Sequence, residues 1–79
     1  MKRPVYAVRD LRAGRFGDPF ASINDAVATR HFSEQCCSVS ARVRSDFELF
    51  RLGDFDDESG VMTALPVPAH VADGAAVED

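Results

Sequence analysis

The chain has 79 residues, 46% of them hydrophobic and 28% charged, with a formal net charge of −4. That length makes one domain whose core lies near the lower limit of what folds without staples or a partner, so a homodimer stays open. No apolar run approaches the roughly 20 residues of a membrane span, and Met1-Lys2-Arg3 leads into a mixed segment rather than a secretory core; a soluble cytosolic protein with no membrane partner is the expectation.

Residues 4–11 carry β-branched and aromatic side chains at strand density, with Val5 and Ala7 on one face and Tyr6 and Val8 on the other. The two glycines and the Asp-Pro step of 13–19 predict a reversing loop, and 20–22 a short strand. A helix is predicted over 23–35. It begins near Ser22 or Asn24: Ser22 and Asp25 have the spacing of a capping box, and Ile23, Val27, Phe32 and Cys36, with Ala26 and Ala28, form a small-residue apolar stripe. Arg30 is expected to face an acid on the sheet.

From Ser38 to Ser45, Val39, Ala41 and Val43 alternate with Ser40, Arg42 and Arg44. This period of two predicts either an extended segment with its basic side exposed or a mobile loop. Residues 47–55 and 61–65 read as strands joined by an acidic, Gly-ended hairpin over 56–60. Beyond Pro66 no period is visible. The pattern therefore predicts one compact α+β domain over 1–65, a small antiparallel β-sheet packed against one helix, followed by an extended or disordered acidic tail over 66–79. A Greek-key barrel of the oligonucleotide-binding kind is the rival, disfavoured by so early a helix.

Charge is graded along the chain. Residues 1–51 hold all nine basic residues against six acids, whereas 52–79 hold seven acids and no base. One reading is a basic body whose acidic tail competes with nucleic acid; the other is an ordinary solvated surface.

Motifs for chemistry are few. Cys36 and Cys37 are adjacent and have no distant partner, so they read as reduced thiols. His31 and His70 lie far from any metal-ligand spacing, and the Asp54–Glu58 acids lack the EF-hand pattern. His31 beside Cys36 offers no third group to orient a nucleophile, and Gly14-x-x-Gly17 is a turn rather than a phosphate loop. No cofactor, metal or enzymatic activity is expected.

The set that stands out is Arg9, Arg12, Arg15, Arg30, Arg42 and Arg44, interleaved with Tyr6, Phe16, Phe20, Phe47 and Phe50. Single-strand binders combine arginines that track the backbone with aromatic faces on which bases stack. Arg9, Arg12, Arg15, Arg42 and Arg44 are the candidate contacts, with Tyr6 or Phe16 as the stacking residue. The competing reading is that the aromatics simply form the core.

The order of motifs also resembles a family. Val5-Tyr6-Ala7-Val8-Arg9-Asp10, then Pro19-Phe20, Asn24-Asp25-Ala26-Val27-Ala28-x-Arg30-x-Phe32, and Asp46-Phe47-Glu48-Leu49-x-x-x-Gly53-x-Phe55-Asp56 with Gly60, are similar to the small nonstructural protein of gokushovirus-type microviruses, which are single-stranded DNA phages. Ser45 departs from it, standing where that family often has a proline. The resemblance implies a phage nonstructural protein made in the host cytoplasm, absent from the capsid and linked with viral DNA replication or DNA binding. It transfers no catalytic residue. Two functions follow as expectations: a non-enzymatic accessory protein binding single-stranded DNA during replication or packaging, or a protein-interaction module engaging a host or phage replication protein.

Overall fold

A computed structural model describes residues 1–78. Strand β1 (Lys2–Asp10) is followed by two short strands, β2 (Arg15–Phe16) and β3 (Phe20–Ala21), then helix α1 (Asp25–Cys37), a 3-10 turn (Ala41–Asp46), and the long strands β4 (Phe47–Asp56) and β5 (Met62–Asp73). All pairings are antiparallel, in the order β2-β1-β4-β5, with β3 on the same edge of β1 as β2. The expected α+β architecture is thus observed, with a five-stranded sheet.

One face of that sheet is covered by the helix. Tyr6 and Leu49 from the central strands meet Ala28, Phe32 and Cys36 from α1 in a closed core. The helical residues lie at i, i+4 and i+8, the spacing of one stripe. Phe20 stacks on Tyr6 with ring centroids 5.9 Å apart and closes the near end.

The helix begins at Asp25, two residues into the predicted span, and of the two expected starts Asn24 is the one that caps it. Ser22 directly follows β3 and is still tied to β1, its amide donating to the carbonyl of Pro4 at 3.0 Å, so the cap passes to Asn24, whose side chain accepts from the amide of Val27 at 2.9 Å. The Ser22 hydroxyl, expected to cap, is buried and finds no hydrogen-bond partner among the described residues. Ile23 consequently lies before the helix and is 64% exposed rather than part of the stripe. Arg30 is exposed and forms no ion pair among the described residues.

Two expectations are corrected. The segment after the helix is neither extended nor a loop: Ser40 caps a 3-10 turn over Ala41–Asp46 by accepting from the Arg42 amide. Its burial does not alternate as in a strand with an exposed basic side, since Ala41, Arg42 and Val43 are all exposed and Arg44 is buried. Residues 66–78 also do not trail away. Residues 66–73 complete β5, a 3-10 turn follows over Gly74–Ala76, and Val71, Ala72 and Val77 pack against the core. A Cβ on Gly74 would lie 1.9 Å from the Arg44 carbonyl oxygen, so backbone meets backbone at that point. Periodicity fails here because the ladder shifts register between Arg51 and Gly53, where Leu65-Pro66-Val67-Pro68 stand out of it. Prolines are tolerated there because β5 is the edge strand. Asp79, the last acid of the expected tail, lies outside the described residues.

At the far tip, the acidic hairpin is a structural turn. Asp56 accepts from the amides of Glu58 and Ser59, Gly60 adopts φ 76°, and Asp57 binds the Met1 amino group at 2.8 Å and Arg3 at 3.4 Å.

Candidate nucleic-acid interface

The face of the sheet turned away from the helix carries the functional candidates. Because side chains alternate along a strand, the core-facing Tyr6 and Val8 place Ala7 and Arg9 on the opposite side. Arg9 is paired in register with Phe16 of β2, and Ala7 with Phe50 of β4, which is in turn paired with His70 of β5.

These side chains touch in sequence across the sheet. The Arg9 guanidinium carbon lies 5.8 Å from the centroid of the Phe16 ring. Phe16 meets Phe50 edge to face at 5.5 Å, and Phe50 meets His70 in the same way at 5.5 Å. Ala7, on the strand between Phe16 and Phe50, is fully buried, and its small methyl lets the two rings meet above β1. The result is a strip of one cation and three rings crossing four strands, with Phe16 43% exposed at one end and His70 exposed at the other. Edge-to-face packing holds such rings in place while leaving a face open for stacking.

The seven sequence candidates do not share this surface. Arg9 and Phe16 do. Arg15 precedes Phe16 in a two-residue strand, so it points to the other side of β2. Arg12 stands in the β1–β2 turn, 84% exposed, with Nε 3.7 Å from Asp46. Arg42 is exposed in the 3-10 turn that ends at Asp46. That turn meets the β1–β2 turn where the Leu11 amide donates to the Asp46 carbonyl at 2.8 Å.

Arg44 and Tyr6 are core residues. Arg44 is 6% exposed, and its Nε donates to the Cys36 carbonyl at 2.8 Å. It supplies a cation to a helix C-terminus that has no basic residue of its own in the last turn. Tyr6 has no exposed surface, and its hydroxyl donates to the Asp25 carboxylate. Burial first, and then that hydrogen bond, push its ionisation well above the ordinary phenol range. Neither residue has a surface to offer a base or a phosphate.

The thiols and the other histidine stand apart. Cys36 is buried and Cys37 exposed, both unbridged, and burial pushes the Cys36 thiol up. His31 is exposed and lies 4.0 Å from Glu34 on its own helix. Phe16 and Phe50 stand together in the arginine-aromatic set of the sequence, but His70 does not, because 54 residues separate it from Phe16 and only the strand order joins them.

No helix among the described residues is long and apolar enough to cross a membrane. A family model described as Phage ORF5 protein matches residues 3–77. Comparison with curated proteins and with solved structures gave no significant match.

Proposed function

The chain belongs to the phage ORF5 protein family, and from that premise we propose that it is a non-enzymatic accessory protein that binds single-stranded DNA during replication or packaging of a microvirus genome. The observation that carries this reading is the strip Arg9–Phe16–Phe50–His70 on the uncovered face of the sheet. Exposed rings on a rigid sheet can stack on bases of any sequence, and a neighbouring guanidinium can hold the backbone between them. Arg12 and Arg42, at the end of the sheet where β1 leaves it, extend the cationic path beyond Arg9. Arg15, on the other side of β2, adds to the long-range field rather than to the strip.

Fluorescence anisotropy with a labelled single strand of mixed sequence, at low and moderate salt, tests this. Binding should weaken as salt rises, and Phe16→Ala and Arg9→Ala should each weaken it. No binding at tens of micromolar in low salt, or affinity indifferent to both substitutions, overturns the reading.

A second reading is a protein-interaction module engaging a host or phage replication protein. It is favoured by the net charge of −4 and by exposed Val61, Met62 and Val67 along the edge strand and its approach. A pull-down from infected cells with and without nuclease separates the two, since nuclease removes only partners held through DNA.

A further inference from the structure

Where β4 meets β5, two carboxylates stand directly opposite one another: Glu48 is the ladder partner of Asp73. Like charges opposed across a strand pair repel and weaken it. Among the described residues, the only ion-pair partner either carboxylate finds is His70. Its Nε2 lies 2.8 Å from Asp73 Oδ1 and 3.8 Å from Glu48 Oε2.

A register shift creates this meeting. Leu49 pairs with Ala72 but Phe50 pairs with His70, so β5 carries one extra residue, Val71, at that point. In an unbroken strand, residues three apart face opposite ways. The bulge brings His70 and Asp73 to the same side, and such re-aiming of a side chain is what bulges do beside functional sites. Phe50 holds the imidazole edge-on.

We propose that Glu48, His70 and Asp73 form a binding site for a divalent transition-metal ion. One ligand atom from each residue lies within 4.8 Å of the other two. A metal about 2.0–2.2 Å from nitrogen and oxygen donors draws them to about 3–3.5 Å from one another, a closure that side-chain rotation at this partly open surface supplies. One imidazole and two carboxylates suit zinc, manganese, iron or cobalt ions rather than the all-oxygen sites of calcium. Three protein donors leave further coordination positions for water. The bound ion replaces the repulsion between Glu48 and Asp73 with attraction to both. The site shares His70 with the aromatic strip, but metal binding is read out without DNA, so its failure and that of the nucleic-acid reading are distinguishable.

The test is titration of the full chain with Zn²⁺ and, separately, Mn²⁺, followed by calorimetry and by NMR of the two histidine rings. One ion should bind per chain. His70 should shift with Zn²⁺ and broaden with Mn²⁺, while His31 serves as the internal control. His70→Ala should lower Zn²⁺ affinity by about tenfold or more, and Glu48→Gln and Asp73→Asn should each weaken it similarly. These side chains lie outside the core, so the variants should keep the native fold, which thermal melting without metal checks. Affinity unchanged by His70→Ala, or binding abolished by Cys37→Ser instead, overturns the proposal. So does an undisturbed His70 ring, which would leave the imidazole as a hydrogen-bond partner of the two acids only.

Discussion

The two faces of the sheet are built from alternate residues of the same strands, yet they are put to different uses. On the covered face Tyr6 and Leu49, with Phe32 of the helix packed against them, lose all or nearly all contact with water. On the open face Phe16, Phe50 and His70 also touch one another, but as a single layer with solvent above it. Aromatic content is therefore no guide to role in this chain. Tyr6 and Phe16 are equally plausible stacking residues in the sequence, and what separates them is whether a helix lies over the strand.

The largest expected effect lies on the covered face. Phe32→Ala should remove about 3–5 kcal/mol of unfolding free energy in a denaturant titration. In a domain this small, that loss should leave much of the population unfolded. A loss no greater than that of an open-face ring would erase the distinction between the two faces.

Next comes Gly74→Ala, which probes whether the C-terminal segment belongs to the covered side. Its new Cβ meets the carbonyl oxygens of Arg44 and Phe47, and the required shift should cost about 1–3 kcal/mol. A neutral outcome would mean that residues 74–78 do not pack as described.

Phe16→Ala sharpens the contrast from the other side. Loss of its edge-to-face partner should cost about 1 kcal/mol in stability, while binding to a single-stranded oligonucleotide should weaken by about 1–3 kcal/mol. Covered-face variants should show no such excess of binding loss over stability loss once their folded fraction is taken into account.

The smallest effect belongs to the hairpin tip, beyond both faces. The Met1 amino group holds Asp57 below the ordinary carboxylate value of 3.8, and the amides of Glu58 and Ser59 do the same for Asp56. Lowered carboxylates contribute stability above that value and lose it as pH falls through their folded values. The amino group is held above its ordinary 8.0, chiefly by its hydrogen bond to Asp57. Its share is complete below 8.0 and is lost as pH rises through the folded value. The clamp should therefore work best between about pH 4 and 8, with a small effect because the groups are exposed and salt screens them. Thermal midpoints of the native chain and of Asp57→Asn, measured across pH at two salt concentrations, should converge at both extremes and at high salt.

Local chemistry alone determined much of this molecule. The apolar stripe that includes Ala28, Phe32 and Cys36 requires a helix with one buried face, although Ile23 and Ala26 of the same stripe are exposed, and the density of β-branched and aromatic residues in 4–11 requires a strand. The acids ending at Gly60 make a turn through hydrogen bonds only a few residues long. Each of these depends on neighbours within one turn or one strand, so the amino-acid order carries it. Tertiary structure decided which alternate set is covered, that Arg44 is a buried helix cap while Arg9 is exposed, and that residues 66–73 belong to the sheet. It also brought His70 and Asp73 to Glu48 through one extra residue in β5. Burial and register depend on pairing between segments far apart in the chain, and a repeat along one strand says nothing about what lies on top of it.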